Sequence, residues 1–255
     1  MTRTHNKHLR AFMNGVDVSG YTRAVGSLDW SFGAEPDAAV TDEVKNILIG
    51  QGDIMAGGYS AFLDNDAAGL FTLASAGTQT INYMVAIGVN AAPVAGNPVF
   101  AWKFEQTAYN TEQGAGFVAV TVPFGGASYA STLTYKKPWG VLVHANSAET
   151  AVNTAVGIDD LGASSALGGI FVYHLLSSDG TVTLTAQDAS TNTDVNFANI
   201  TGATSGSINA SLAPKSGMIA LGTTATVKRY IRWQLAFGTA STATFACAFI
   251  RNNLL

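Results

Sequence analysis

Apolar and polar residues alternate one by one along several segments of this 255-residue chain. Large apolar side chains occupy every second position of residues 100–104, and a similar alternation with threonine runs through residues 181–187. Because successive side chains of a strand point to opposite faces of a sheet, this period of two predicts half-buried antiparallel strands. The turn signals Asn14-Gly15 and Asp179-Gly180 punctuate the pattern. The chain is therefore predicted to be mostly β and antiparallel.

Eleven further segments are predicted to be strands, because each is a short alternating or apolar run that ends at turn residues. They are residues 12–16, 28–32, 53–63, 81–89, 117–124, 140–145, 169–176, 194–200, 217–221, 226–237 and 242–251. One segment, residues 36–49, has the spacing of a helix instead. Val40, Val44 and Ile47 fall on one face there, and acidic residues lie near its start, where the helix dipole favours them.

The polar stretch of residues 125–138, which contains Gly and Ser, is the best candidate for a domain boundary. Residues 1–125 hold six basic and eleven acidic residues, a net charge of −5, whereas residues 126–255 hold seven and six, a net charge of +1. No short repeat indicates a solenoid or a propeller. We therefore predict two β-rich domains in tandem, residues 1–125 with a basic N-terminal arm and residues 126–255.

Charged residues are scarce, at 12% of the chain, while hydrophobic residues make up 47% and alanine alone contributes 40 residues. A large part of the surface must therefore be small and neutral, which suits packing against copies of the same chain. The low-charge segments 91–97, 110–116 and 146–166 are predicted to be loops that pack between subunits.

The longest apolar runs are far shorter than the roughly 20 residues that span a bilayer. The basic N-terminus is not followed by an apolar region, so a secretory signal is not supported and we expect synthesis in the cytoplasm of the producing cell. Cys247 is the one cysteine and lies in an apolar run. It is predicted to be a small buried hydrophobic residue.

The common nucleotide, zinc-protease and hydrolase motifs are absent from the sequence, so we expect no enzyme activity and no cofactor. His144 and His174 are expected to be solvated or hydrogen-bonded strand residues. The segment from Asp64 to Asp66 begins like a calcium loop but lacks the later ligands of an EF-hand, which leaves a turn or an irregular calcium site.

Two groups of basic residues are candidate contacts between subunits. Arg3, Lys7 and Arg10 precede the first acidic residue, Asp17, and form either a frayed tail or an arm that reaches an acidic surface of a neighbour. Arg229 alternates with apolar residues in the predicted strand 226–237 and would share their face. A charge there needs a partner, so Arg229 either pairs with a carboxylate at the sheet edge or lies in a subunit contact.

Several segments together resemble the major tail tube proteins of long-tailed, siphovirus-like bacteriophages. The opening Phe12-Met13-Asn14-Gly15-Val16-Asp17-Val18-Ser19-Gly20-Tyr21-Thr22-Arg23 is similar to the strand and turn that begin those proteins. Further resemblance lies in residues 180–188, 197–200, 226–233 and 243–251, so that about a third of the chain is involved.

The resemblance implies a tail-tube-like β-sandwich or barrel with one short flanking helix, followed by a second β-sandwich that is either tube-like or an outer decoration. It also implies stacked homo-hexameric or homo-trimeric rings whose lumen passes DNA without binding it, contacts with other tail proteins, and a place in the virion. An acidic lining with few cations would repel phosphates, as the net charge of residues 1–125 allows.

Two other functions remain open at this stage. A capsid decoration or a tail-tip, host-binding protein would use exposed aromatic residues, for which Trp139, Tyr173 and Tyr230 are candidates. A carbohydrate-active enzyme on a β-sandwich would need two carboxylates that converge, such as Asp179 and Asp188.

Overall fold

The structure is a computed structural model that describes residues 8–20, 22–37, 46–63, 70–114, 116–127, 137–160 and 162–252. The regular structure of these residues is almost entirely antiparallel β, with one short α-helix, α1 (Leu70–Ala74). The strands are β1 (Leu9–Met13), β2 (Val16–Asp17), β3 (Thr22–Val25), β4 (Leu28–Asp37), β5 (Asn46–Ala56), β6 (Tyr59–Phe62), β7 (Gln79–Ile87), β8 (Pro98–Gln106), β9 (Asn110–Gly114), β10 (Phe117–Val122), β11 (Phe124–Ala127), β12 (Trp139–Glu149), β13 (Ile158–Asp159), β14 (Gly169–Ser178), β15 (Thr181–Ala189), β16 (Ala198–Asn209), β17 (Lys215–Ala220), β18 (Tyr230–Phe237) and β19 (Ala243–Arg251).

The largest sheet has nine strands and takes members from both halves of the chain. Its order is β17-β14-β19-β12-β8-β7-β1-β2, with β11 paired to β8. The halves meet where Trp139 of β12 lies opposite Phe100 of β8. The division into domains between residues 125 and 126 stays a prediction. The ladder between β8 and β12 joins a strand from before this division to a strand from after it.

The two ends of this sheet approach each other. The backbone N–H of Gly15, in the turn after β1, donates to Nδ1 of His174 on β14 at 3.0 Å. Asn82 of β7 donates to the hydroxyl of Ser216 on β17 at 2.9 Å. The sheet therefore curls until its first strands contact its last ones, as in a barrel.

The middle of the sheet is buried on both faces. Ile170 and Val172 of β14 belong to one apolar cluster, whereas Phe171, Tyr173 and Leu175 belong to another. The first cluster also contains β1, β7, β8 and the sheet β3-β6-β10-β9, and the second contains the sheet β13-β18-β15-β16. This stacking of sheets is a β-sandwich and confirms the predicted fold class.

Two local predictions are confirmed in detail. Every second residue of β15 is buried from Val182 to Ala186, as the alternation with threonine predicts. Cys247 is fully buried among apolar residues of β19, and this burial raises the pKa of its thiol. Both predictions rest on side chains of one strand, for which spacing along the sequence is sufficient.

The predicted helix at residues 36–49 is wrong at both of its ends. Residues 36–37 end β4 and residues 46–49 begin β5. These strands pair from Leu28 with Ala56 to Asp37 with Asn46, with one register shift between Phe32 and Ala34. Residues 38–45 lie outside the described part of the chain. The pairing of β4 with β5 overrides the weak helical spacing at both ends of this segment. The short helix of the described residues is α1.

Three other segment boundaries differ from the prediction. The predicted strand 53–63 is interrupted at Gly57 and Gly58, where Gly58 has a φ of +91°. Residues 110–114, predicted to be loop, form β9. Residues 194–196 are a short 3₁₀ helix rather than the start of a strand. The residues of β9 are polar and mostly exposed, yet they form the edge strand of a sheet, since exposed residues can also pair there.

Substitution of Gly15 tests the closure of the sheet. Gly15 has a φ of +92°, and an added Cβ would lie 2.8 Å from the backbone nitrogen of Lys215. We expect Gly15→Ala to lower the free energy of unfolding by about 2–3 kcal/mol, from backbone strain plus the clash. Urea denaturation measures it.

Gly96 is the matched control, since its φ is +91° and no atom lies within 4 Å of its added Cβ. Gly96→Ala should cost about 1 kcal/mol, from the backbone conformation alone. Equal losses for the two variants would contradict the close contact between the turn and β17.

Candidate functional site

A groove of about 440 Å³ lies between β12, β18 and two loops, residues 93–97 and 150–157. Its lining includes Val143, Ile231 and Trp233, which belong to the second apolar cluster. Val94 and Val156 also line it and are more than half exposed. We name this feature the His144 groove. The structure thus brings together two of the low-charge segments that the sequence assigned to subunit packing.

His144 anchors one wall of the groove. Its ring stacks on the ring of Phe245 with 4.1 Å between centres, and it meets the ring of Trp233 edge to face with 4.7 Å between centres. Nδ1 lies 3.0 Å from the carbonyl oxygen of Phe245, and Nε2 lies 2.9 Å from a carboxylate oxygen of Glu149. Burial lowers the pKa of His144, and the hydrogen bond with Glu149 opposes that shift.

The position of Ser147 beside His144 does not make a nucleophile. The hydroxyl of Ser147 lies 3.2 Å from Nε2, but the carboxylate of Glu149 faces the same nitrogen. A general base must offer a free lone pair to the hydroxyl proton, and Glu149 occupies that direction. The three side chains instead hold the irregular end of β12, where the register to β19 shifts twice.

Arg232 holds the opposite wall. Its guanidinium donates to Gln187, to the backbone carbonyl of Ala155 and to Asp194, and it lies 4.4 Å from the centre of the Phe197 ring. Its side chain is only 7% exposed, so these partners satisfy a buried charge. Asn153 also donates to the backbone carbonyl of Trp233 at 2.9 Å. The loop at residues 150–157 is therefore fixed in place, and the groove is preformed.

Arg229 lies at the edge of the outer sheet. It donates to Asp159 of the edge strand β13 at 2.6 Å, and this hydrogen bond raises the pKa of Arg229. A carboxylate at the sheet edge was one of the two expected partners. The expected place on the apolar face is wrong, because β18 begins at Tyr230 and leaves the Arg229 side chain 54% exposed. A role for Arg229 in subunit contacts stays a prediction.

The N-terminal candidates fall in two groups. Arg10 lies on β1, opposite Ala86 of β7, and is exposed. Arg3 and Lys7 lie outside the described residues. The predicted arm therefore gives way to the sheet at Leu9, and its contact with a neighbouring subunit stays a prediction.

The two carboxylates considered for glycoside chemistry do not converge. Asp179 precedes β15 and accepts hydrogen bonds from the hydroxyl of Ser241 and from backbone N–H groups, which lower its pKa to about 2. Asp188 lies near the other end of β15, about 30 Å along the strand, and accepts from the backbone N–H of Lys228. Catalytic carboxylate pairs are about 5–10 Å apart.

Two ion pairs with buried members were not predicted from the sequence. Asp160 binds Arg251, and both side chains are almost fully buried. Glu149 binds His144 across the irregularity of β12 that lies between His144 and Ser147. Neither pair has a local signal, because each depends on a bulge or on a strand that follows much later in the chain.

Asp64 and Asp66 lie outside the described residues. Among the residues that the structure describes, no three His, Cys, Asp or Glu side chains are grouped so that they could hold a metal ion. Within the same ranges, no helix has the length and hydropathy needed to cross a bilayer. Trp139, Tyr173 and Tyr230 are buried or half-buried, and none of the three is exposed.

Neither a protein family nor a curated protein sequence matches the chain. Among solved structures, it is similar to the Dit protein of phage SPP1, described as a paradigm of the hub adsorption apparatus in phages that infect Gram-positive bacteria. The two share 13% sequence identity and a TM-score of 0.29, over 95% of this chain and 99% of that protein.

Proposed function

We propose that this chain is a virion structural protein, the major tail tube subunit of a bacteriophage. It assembles with copies of itself into stacked rings that form the DNA conduit of the tail, and it works without enzyme activity or a cofactor. The antiparallel sandwich, the scarcity of charge and the opening segment that resembles tail tube proteins support this proposal.

The observation that carries the proposal is the two-stranded sheet of β4 and β5. These strands are 10 and 11 residues long, and they hydrogen-bond with each other and with no other strand among the described residues. Ile54 and Ala56, at the end of β5, belong to the first apolar cluster, and Leu28 at the start of β4 packs against it. A two-stranded sheet is at best marginally stable in water, so strands of this length need a further surface to pack on.

A second copy of the chain offers a surface on which the sheet of β4 and β5 could pack. The chain as a whole has few charged residues, and subunit interfaces are depleted of charge in their centres. Residues 28–56, which contain β4 and β5, are richer in charge, with six acidic residues and one basic residue, so their contact would lie at the polar rim of such an interface. Contacts between different surfaces of identical subunits either close into rings or continue as filaments. The net charge of −5 on residues 1–125 would keep a lumen lined by that half from binding DNA.

Negative-stain electron microscopy of the purified chain, together with its mass in solution, tests the proposal. We expect rings or tubes with a central hole wide enough for duplex DNA. Sixfold rings of six chains would mean one tube domain per chain, and pseudo-sixfold rings of three chains would mean two. A monomer that persists at high concentration would overturn the proposal and favour a decoration or host-binding role.

A further inference from the structure

A small apolar patch lies at one end of the sheet β3-β6-β10-β9. It consists of Arg23, Phe62, Leu63 and Phe117, and we name it the Phe117 patch. Its three apolar side chains are each 40–46% exposed. The rings of Phe62 and Phe117 meet edge to face with 5.5 Å between centres. A rigid aromatic pair left in water is typical of a protein contact rather than of a core.

The Phe117 patch also carries a positive charge. The guanidinium of Arg23 lies 5.3 Å from the centre of the Phe117 ring. Among the described residues, no carboxylate forms an ion pair with Arg23. Aromatic residues and arginine are the side chains that contribute most to binding at protein interfaces. The patch therefore suits an apolar hollow with an acidic group beside it.

The His144 groove has both properties. Val94 and Val156 give it an exposed apolar lining, and Glu149 is an acidic group in its wall with a 30% exposed side chain. The cation in the opposite wall, Arg232, is already paired with Asp194. A volume of about 440 Å³ lies within the range of pockets that enclose whole small ligands, so it can hold two phenyl rings.

We infer that the Phe117 patch of one copy docks into the His144 groove of the next copy, with Arg23 facing Glu149. The patch and the groove lie on different sheets and share no residue, so the contact is head to tail. Such a contact closes into a ring or continues as a filament. This inference rests on the proposed self-assembly and names the two surfaces that perform it.

Cysteine cross-linking between two single variants tests the contact. Leu63→Cys places a thiol at the side of the patch without removing either ring or Arg23, and Val156→Cys places one in the groove. The native Cys247 is fully buried and does not compete. After mild oxidation of a mixture of the two variants, we expect a disulfide-linked dimer on a non-reducing gel, at least tenfold more abundant than with either variant alone.

Leu212→Cys is the matched control, since Leu212 is an apolar residue that is fully exposed and belongs to neither surface. Its mixture with Leu63→Cys should give only the background of dimer. Equal cross-linking in that mixture, or a dimer formed by Leu63→Cys alone, would mean random or like-to-like contact and would overturn the inference.

The charge of Arg23 provides a second measurement. Arg23→Glu would face Glu149, and we expect the concentration needed for half-maximal assembly to rise about tenfold or more, whereas Arg23→Lys should change it less. Sedimentation of the same samples separates the two proposals. Full assembly with no specific cross-link would refute this contact and leave the tube proposal standing, whereas a wild-type chain that remains monomeric would refute both.

Discussion

Replacement of Asp160 by alanine is expected to lower the free energy of unfolding by about 3–5 kcal/mol. Asp160 accepts a hydrogen bond from Nε of Arg251 at 2.7 Å, and the two side chains are 3% and 6% exposed. The other guanidinium nitrogens donate to the backbone carbonyls of Val227 and Lys228. Without the carboxylate, a buried guanidinium would keep its charge and lose its counterion.

The neighbouring residue supplies the control for this experiment. Asp159 pairs with Arg229, whose side chain is 54% exposed. Exposed ion pairs contribute about 1 kcal/mol or less, so Asp159→Ala should be far milder than Asp160→Ala. Urea denaturation of both variants measures the difference. Equal losses of unfolding free energy for Asp160→Ala and Asp159→Ala would contradict a stabilising role for the buried ion pair of Asp160 with Arg251.

Acidification is expected to destabilise the protein through His174. This residue is completely buried, and burial lowers its pKa from the ordinary 6.5 to about 3. Nδ1 accepts the N–H of Gly15, and the ring lies against Phe12. Between pH 6.5 and pH 3 the unfolded chain binds a proton at this site that the folded chain does not bind. Stability therefore falls as the pH falls through that window, by up to about 1.4 kcal/mol per pH unit.

His174→Gln separates this effect from those of other groups. Glutamine keeps an acceptor for the N–H of Gly15 but does not titrate. Urea denaturation of wild type and variant at pH 4, 5, 6 and 7 gives the two stability profiles. We expect the variant to be less stable at pH 7 and to lose less stability on acidification. Parallel profiles would show that His174 is not the titrating group, and His144, also buried with a lowered pKa, would be the next to replace.

The failed helix at residues 36–49 shows a limit of local pattern. Apolar residues at the spacing of Val40, Val44 and Ile47 fit a helix, yet both flanks are strand. The ladder of β4 and β5 pairs Pro36 with Ile47 and Leu28 with Ala56. The paired residues of that ladder lie from 9 to 28 positions apart, and most pairs extend beyond the window of residues 36–49, where the helical spacing was read.

The sequence predicts the low charge of the His144 groove but not its shape. Its low charge could be read from the segments 91–97 and 146–166, and both supply residues of its lining. Its shape could not, because it depends on the bulges that turn His144 and Glu149 toward each other and on Arg232 reaching the loop at Ala155. A bulge changes the face on which the following side chains lie, so a strict period of two fails after it.

Local chemistry was enough for the strand class, the burial of Cys247 and the turn at Asn14-Gly15, since each depends on the properties of a few consecutive residues. The roles of Asp159 and Asp160 were not available in that way. Two adjacent, identical side chains bind Arg229 and Arg251, which lie 70 and 91 positions away, and one pair is half-exposed while the other is buried. Charge is a property of the residue, but its energetic weight depends on the water that the assembled sheets exclude.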